Sequence, residues 1–301
     1  MAYDFNEIIQ RRIFPTLVDT VFYKDLQGIL SLMRKVPTQS GDRITVGIRT
    51  ANTSNNAAYD KSSVDVASAS QTLVKAYWTK AQYNGCAETF NIDEANNVSG
   101  DVAIDFAKGK IEEELKAMGS TIFDAIMSRL AADIDSSGTA YSDASLSRST
   151  YATLASYEET SSAAQTLALW RATLAAAMLN KNVARQDYIC LMAEDVMDTF
   201  APLAAATHTL THPAESFGNN GVSYGYAPVS VFDGIPIYCL KGQTSGTVFF
   251  APRQSLCYAE NMPMRIEAKN SERDSRLFQI YYGITPFVLD PGFCSKQTGK
   301  S

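Results

Sequence analysis

Apolar positions recur along the chain with two different periods, and the changes of period divide the sequence into segments. Residues 5–35 carry an apolar stripe near the 3.6-residue period, which predicts a helix that Pro15 kinks or divides. Residues 43–49 alternate between apolar and polar, residues 51–71 hold few large apolar groups, and residues 72–90 return to strand character. This pattern predicts a long two-stranded hairpin with a polar tip. Such a hairpin is marginally stable in water unless it lies on another surface.

A longer helical stretch follows at residues 101–134. Apolar side chains recur there every three or four positions from Ile104 to Leu130, while charged residues occupy the other face. At 1.5 Å per residue the helix spans roughly 50 Å, about three times the usual length in globular proteins. Gly109 and Gly119 each cost about 1 kcal/mol relative to alanine. We interpret these glycines as sites where the helix bends or where another backbone crosses it closely.

The remainder of the chain predicts an α/β module followed by strands. A helix is expected at residues 164–180, a short strand at residues 188–192, and a second helix at residues 193–206. Asp233-Gly234 has the composition of a hairpin turn. The later strands are predicted at residues 229–232, 235–238, 248–251, 256–259, 264–267 and 277–282. The whole pattern predicts a fold of the α+β class.

Composition narrows the class of protein. The 301 residues have an ordinary globular balance, but the net charge of −6 opposes a role as a dedicated reader of nucleic acid. No apolar run approaches the ~20 residues of a membrane helix, and the start lacks the features of a signal peptide. The five cysteines are too scattered for a disulfide framework or zinc site. We therefore expect a cytoplasmic protein whose cysteines are small buried hydrophobic residues.

One short motif points to an enzyme. The run Gly221-Val222-Ser223-Tyr224-Gly225 matches the GxSxG of serine hydrolases, whose serine needs a strand before it and a helix after it. Here a loop precedes the motif and Pro228 follows it closely. Both histidines of the chain also precede Ser223, against the order of hydrolase triads. A serine hydrolase using Ser223 therefore stays a remote alternative.

The same two histidines, His208 and His212, are spaced for one helix face, as a metal site would require. Pro213 follows at once and no glutamate lies between them, so we interpret them as surface loop residues. The sequence holds no phosphate-binding motif. We predict no catalytic residue, no cofactor and no metal, and a protein that is not an enzyme.

The order of parts is distinctive: an N-terminal arm, a long hairpin, a very long helix, an α/β module and C-terminal strands. With the late runs Val231–Ile237, Val248–Pro252 and Tyr281–Pro286, this order resembles the major capsid proteins of tailed bacteriophages, the Hong Kong 97-type capsid fold family. The resemblance covers essentially the whole chain. It implies a structural subunit that self-assembles into an icosahedral phage head enclosing double-stranded DNA.

The resemblance also implies a division of the chain. It assigns an N-arm to 1–40, an E-loop to 41–90, a peripheral domain with the spine helix 101–134 to 91–149 and 246–301, and an axial domain to 150–245. Because the hairpin begins by residue 42, we expect no N-terminal scaffolding segment, so a separate scaffold protein, or none, is implied. Some relatives crosslink an E-loop lysine to an asparagine. Lys61 lies in the corresponding loop, but no partner is identifiable and no crosslink is predicted.

The implied partners are copies of the chain itself in pentamers and hexamers, with scaffold, portal and decoration proteins and non-specifically bound DNA on the inner face. The implied location is the virion capsid, assembled in the host cytoplasm without a membrane. Charged or aromatic groups on an exposed hairpin need partners, although simple solvation is the alternative for the charged ones. The candidate inter-subunit contacts are Arg43, Arg49, Lys61, Lys75 and Trp78. A second hypothesis with the same fold is an encapsulin-like bacterial compartment.

Overall fold

The computed structural model describes residues 24–38, 40–53, 70–90, 100–134, 157–160, 164–178, 184–207, 228–240, 242–270, 275–289 and 291–300. The helices in these ranges are α1 (Lys24–Leu32), α2 (Gly100–Asp133), α3 (Leu167–Met178) and α4 (Glu194–Thr207). The strands are β1 (Arg34–Val36), β2 (Arg43–Thr53), β3 (Ser70–Thr79), β4 (Tyr83–Phe90), β5 (Tyr157–Glu159), β6 (Tyr188–Ala193), β7 (Ser230–Phe232), β8 (Ile235–Leu240), β9 (Val248–Pro252), β10 (Leu256–Asn270), β11 (Ser275–Val288) and β12 (Ser295–Gln297).

Within the described ranges these strands form three sheets. A four-stranded sheet has the order β1-β10-β11-β4, a six-stranded sheet has the order β5-β12-β9-β6-β8-β7, and β2 pairs only with β3. β1 runs parallel to β10, β6 to β8, and β12 to β5, whereas the other pairs are antiparallel. Both larger sheets contain a sequence-adjacent hairpin, β10–β11 or β7–β8, but also join strands from distant parts of the sequence, such as β4 with β11 and β5 with β12. Helices and sheets together give the predicted α+β class.

The long helix α2 lies in the main core. Its 34 residues match the predicted range within one residue and make it roughly 50 Å long. The apolar side chains Ile111, Leu115, Ile122, Ile126 and Leu130 are fully buried. They share one cluster with side chains of the four-stranded sheet (Phe278, Ile280, Ile284) and of the six-stranded sheet (Ile189, Leu191, Leu240, Phe249). The helix therefore joins the two sheets through one continuous apolar core.

A second core covers the other face of the six-stranded sheet. Trp170 of α3 is fully buried, with ring centroids of Phe200, Phe232 and Phe250 at 5.8, 5.1 and 5.2 Å. All six residues of β6 are buried, because helices α3 and α4 lie on one face of the strand and α2 on the other. The predicted order of helix, short strand and helix is confirmed here.

Three element predictions were wrong in detail. The stretch 72–90 is two strands, because residues 80–82 end the ladder of β3 and β4 then pairs with β11. The strands predicted at 256–259 and 264–267 are one strand, β10, interrupted by register shifts between Glu260 and Arg265. The first helix cannot extend to residue 35, because β1 begins at Arg34. Residues 5–23 of that predicted helix lie outside the described residues.

The two larger sheets each combine strands from more than one of the ranges into which the chain was predicted to divide. β9 and β12 fall in the range predicted for the peripheral domain, yet they belong to the six-stranded sheet with β6, β7 and β8. β4 falls in the range predicted for the E-loop, yet it belongs to the four-stranded sheet. Sequence order hides these exchanges because a strand can pair with a partner more than a hundred residues away. The assignment of named domains stays a prediction.

Candidate assembly surfaces

The hairpin β2–β3 is the first candidate surface. Its ladder runs from Arg43 opposite Thr79 to Thr53 opposite Ser70, with a register shift between Arg49 and Ala51. In the described part of the chain no further strand pairs with either of its strands. An unsupported two-stranded ladder is marginal in water. The predicted hairpin is confirmed, and its body lacks the sheet neighbours that would stabilise it within one subunit.

The base of the hairpin is firmly attached to the four-stranded sheet. Trp78 is 2% exposed and stacks on Phe287, with ring centroids 4.5 Å apart. Ile44 is fully buried in the same cluster, together with Cys257 and Ala259. The backbone N–H of Lys80 also donates to the carbonyl of Asp42 at 3.0 Å, which closes the hairpin at its base.

The turn from β3 into β4 is fixed by a small polar group. The backbone N–H of Ala81 donates to Thr285 Oγ1 at 2.9 Å, and Asn261 Nδ2 donates to the same hydroxyl oxygen at 2.7 Å. These bonds link the end of the hairpin to both β10 and β11. The base of the hairpin is therefore fixed to the four-stranded sheet.

The predicted contact residues occupy different places on this hairpin. Arg43 is exposed at the first ladder position, Arg49 pairs with Leu73, and Lys75 pairs with Gly47. Lys61 lies outside the described residues. Trp78 is directed into its own subunit, where it covers the ring of Phe287. That these five residues form inter-subunit contacts stays a prediction.

The two helix glycines differ in surroundings. Gly109 is partly exposed, and a Cβ placed on it would meet nothing within 4 Å. Gly119 is buried. The helix is continuous through both positions. Among the described residues nothing requires a glycine at 109, and the predicted bend or crossing at these two positions stays a prediction.

The free edge of the four-stranded sheet is the second candidate surface. Among the described strands β4 pairs with β11 alone, so its outer edge presents backbone groups, and Phe90 at its end is 45% exposed. Glu114 of α2 covers part of this edge, because its Oε1 accepts a hydrogen bond from the backbone N–H of Cys86 at 3.2 Å. A Cβ on Gly85 would lie 2.9 Å from the same oxygen. Gly85 therefore permits the close approach of a carboxylate that occupies one edge donor.

Polar groups anchor the C-terminal end of α2 to both sheets. Asp133 is buried and accepts a hydrogen bond from the backbone N–H of Val288 in β11 at 2.9 Å, while Arg129 pairs with it at 3.0 Å. Lys296 of β12 donates to the carbonyl of Ala131 at 3.1 Å. A lysine at the end of a helix satisfies a carbonyl that has no partner inside the helix and opposes the negative end of the dipole.

The C-terminal strand is itself held by ion pairs with β5. The ammonium group of Lys296 lies 3.1 Å from Glu158, and that of Lys300 lies 3.9 Å from Glu159. Both lysine side chains are almost completely buried, at 9% and 0% exposure. Sequence reasoning missed these residues, since lysines near a terminus are usually solvated.

No arrangement in the described residues indicates catalysis. A cavity of about 450 Å³ lies between the end of α1 and the six-stranded sheet, but its charged lining residues are the dispersed Arg34, Asp187 and Arg253. No group of three or more His, Cys, Asp or Glu side chains in that part of the chain is placed to hold a metal. Ser223, His208 and His212 lie outside it.

The cysteines only partly follow the prediction. None of the five, all of which the structure describes, forms a disulfide, and Cys190, Cys257 and Cys294 are buried. Burial raises the pKa of the Cys190 thiol well above its ordinary value. Cys86 departs from the prediction because it lies on the exposed side of the edge strand β4. Separately, none of the helices in the described ranges is both long and apolar enough to cross a bilayer.

No family model and no curated protein matches the sequence. Solved structures do match. The chain is similar to the capsid protein of cyanophage A-1(L), with 13% identity, 90% of this chain and 92% of that chain covered, and a TM-score of 0.67. It is similar to the capsid of Ralstonia phage GP4, with 10% identity, coverage of 90% and 88%, and a TM-score of 0.63.

A virus-like particle from Pyrococcus furiosus is also similar, with 10% identity, coverage of 98% and 100%, and a TM-score of 0.57. At these identities the likeness establishes the fold. The chain has the Hong Kong 97-type fold that the order of its parts predicts, and the resemblance to capsid proteins of tailed bacteriophages is confirmed at that level.

Proposed function

We propose that this protein is the major capsid subunit of a tailed bacteriophage and that it self-assembles into an icosahedral head enclosing double-stranded DNA. The observation that carries the proposal is the hairpin β2–β3, which leaves a fold otherwise shared with capsid subunits and has no sheet neighbour of its own among the described strands. A neighbouring subunit would supply the surface on which it rests. Multiplied over a closed shell, weak contacts of this kind give a strong lattice.

The proposal assigns parts of the subunit to roles. The hairpin, with Arg43, Arg49, Lys61 and Lys75, contacts the next subunit, while Trp78 holds its base on its own subunit. The four-stranded sheet with α2 forms the peripheral domain. The six-stranded sheet with α3 and α4 forms the axial domain around the symmetry axes of pentamers and hexamers. DNA binds non-specifically at the inner face, and scaffold, portal and decoration proteins complete a head that assembles in the host cytoplasm.

The proposal is tested by the assembly of the purified full-length chain, alone and with its scaffold protein. Size-exclusion chromatography with in-line light scattering should give the mass of shells or of rings of five and six subunits. Electron microscopy should show the same particles directly. A chain that remains monomeric at every concentration and salt condition tested, with and without scaffold, would contradict the proposal.

The second candidate is the shell of an encapsulin-like bacterial compartment. This candidate is supported by the similarity to a virus-like particle from Pyrococcus furiosus, which extends over the full length of that chain. Particles purified from the native source distinguish the two. A phage head should protect double-stranded DNA from nuclease, whereas a compartment should contain an enzyme identifiable by mass spectrometry.

The remote alternative, a serine hydrolase, is tested separately. A fluorophosphonate probe should leave the protein unlabelled if the shell proposal is correct. Labelling that disappears in Ser223→Ala would establish a nucleophilic serine.

A further inference from the structure

The turn between β7 and β8 carries a cluster of charges at one end of the six-stranded sheet. Asp233 and Gly234 have φ of 51° and 80°, as a two-residue hairpin turn requires. Arg171 of α3 donates from Nε to Asp233 Oδ2 at 2.8 Å, and Arg185 donates to the same oxygen at 3.1 Å. Both arginine side chains are nearly half exposed, at 44% and 46%. One carboxylate thus holds two guanidinium groups at the surface.

A cavity of about 260 Å³ lies beside this cluster. Its floor is apolar and its rim carries the charges; the lining residues are Arg171, Leu174, Ala175, Met178, Arg185 and Asp233. A guanidinium has five N–H donors, of which Arg185 uses one in its hydrogen bond to Asp233. An apolar floor beneath a guanidinium rim fits an acidic side chain that stands next to an apolar one, because a charge-assisted bond and apolar burial are then satisfied together.

The first turns of α4 carry the opposite charge. Glu194, Asp195 and Asp198 follow β6 directly, and the helix contains no lysine or arginine. Burial alone would raise the pKa of Asp195, but hydrogen bonds from Ser245 and from backbone N–H groups outweigh it and lower the pKa. Asp195 is therefore an ionised carboxylate committed to its own subunit. Glu194, Asp198 and Pro202 are exposed and follow one another at intervals of four residues, so they share one face of the helix.

These two surfaces lie at opposite ends of the same strand. Arg185 precedes β6 and α4 follows it, and a strand of six residues separates the two ends by roughly 20 Å. They complement each other in charge, and each includes exposed or cavity-lining apolar groups. One copy of the chain cannot bring its own α4 to its own cavity, but two copies can meet head to tail.

We propose that α4 of one copy docks into the arginine-rimmed cavity of a second copy, with Asp198 at Arg185 and Pro202, one helical turn further along the same face, on the floor formed by Leu174, Ala175 and Met178. The inference rests on the proposed shell function, because it names a contact between neighbouring subunits. Two different surfaces meet in this contact, so it is heterologous. Repeated contacts of this kind close into rings when the rotation between subunits allows it.

Charge reversal tests the contact. In Arg185→Glu and in Asp198→Arg, each contact sets like charges against each other, and we expect about a tenfold or greater loss in the association constant per contact. Ring and particle formation should collapse as the losses multiply. The double variant R185E/D198R restores opposite charges and should assemble again. The matched control is Asp124→Arg, which makes the same change at an exposed position of α2 and should assemble as the wild type does.

Mixing the two single variants in equal amounts gives a sharper test. In an alternating ring, every second contact is the native Arg185–Asp198 pair and the others are the reversed pair. Rings with an even number of subunits are then fully complementary, whereas an odd ring keeps one repulsive contact. Native mass spectrometry should therefore show six-membered rings without five-membered ones.

Folding is checked independently, because Arg185→Glu also faces Asp233. The neutral variants Arg185→Gln and Asp198→Asn should weaken assembly less than the reversals, and circular dichroism should show all variants folded. Single reversals that assemble like the wild type, or a folded double variant that fails to assemble, would overturn the proposed contact. A wild-type chain that never assembles would remove the shell proposal itself, and that outcome differs from both.

Discussion

The molecule contains two long antiparallel hairpins, and they are stabilised in different ways. The hairpin β10–β11 has β1 on one side, β4 on the other and α2 across one face. Among the described strands, the hairpin β2–β3 has a comparable ladder but no further strand beside it, and its base lies in the cluster of Ile44, Trp78 and Phe287. Backbone pairing is therefore common to both hairpins, and flanking strands are what separate them. One hairpin belongs to the stability of the subunit, and the other is the one that the proposed contact between subunits uses.

The largest expected effect is in the covered hairpin. Phe278 of β11 is fully buried in the main core, so Phe278→Ala should lower the free energy of unfolding by about 3–5 kcal/mol. Urea denaturation of the unassembled subunit measures this. Phe278→Leu, which keeps most of the apolar volume, is the control and should lose much less. A loss below about 1 kcal/mol in the alanine variant would mean that this hairpin is not the centre of the subunit's stability.

The next effect is at the base of the uncovered hairpin. Trp78→Ala removes the stack on Phe287 and should cost about 3 kcal/mol. Trp78→Phe keeps an aromatic ring on Phe287 and should cost about 1 kcal/mol. Thermal or urea unfolding followed by circular dichroism distinguishes the two variants. Equal stability of Trp78→Ala and the wild type would show that the base is not anchored through this pair.

A smaller effect is expected at the edge of the covered sheet. Glu114→Ala removes the acceptor of the Cys86 N–H and should cost about 1 kcal/mol. It should also increase self-association through the uncovered edge of β4, measurable by analytical ultracentrifugation. Glu113→Ala is the matched control, because Glu113 is 75% exposed and pairs only loosely with Lys110 at 3.6 Å. Identical sedimentation of the two variants would argue against a protective role for Glu114.

Removing the outer part of the hairpin β2–β3 should have the smallest effect on the stability of the subunit but should abolish assembly. Arg49 and Leu73 face each other in the ladder, so residues 50–72 can be replaced by an Asn-Gly turn. The shortened subunit should unfold within about 1 kcal/mol of the wild type, because the removed ladder is barely stable alone. Electron microscopy should show no shells. Normal shells from this variant would show that assembly does not need the hairpin.

The sequence predicts the elements better than it predicts their partners. The long helix, the hairpin and the turn at Asp233-Gly234 follow from local periodicity and turn chemistry, which a short window of residues contains. The pairing of β4 with β11 does not, because it depends on residues nearly two hundred positions apart. Trp78 shows the same limit: alternation along β3 gives two faces but does not say which one another part of the chain will cover.

The candidate surfaces were predictable only in part. The hairpin was predicted from two segments of strand character on either side of a polar segment. Its contact residues were predicted because they are charged or aromatic. The cluster at Asp233 was missed, because Arg171 and Arg185 reach it from 62 and 48 positions away. Lys296 and Lys300 were missed because isolated charges predict a solvated surface, and only the fold brings Glu158 and Glu159 to them.

The placement of the hairpin base has a consequence for synthesis on the ribosome. Both strands of the hairpin are complete by residue 79, but the side chains on which the base rests, Cys257, Ala259 and Phe287, are made about 180 to 210 residues later. At typical translation rates of about 5–20 residues per second, that delay is of the order of 10–40 s. Until these residues are made, the base of the hairpin has nothing to pack against. The orientation of the hairpin relative to the rest of the subunit is therefore not fixed in the nascent chain. In the proposed shell, synthesis of the C-terminal strands would therefore have to precede the contact that the hairpin makes with a neighbour.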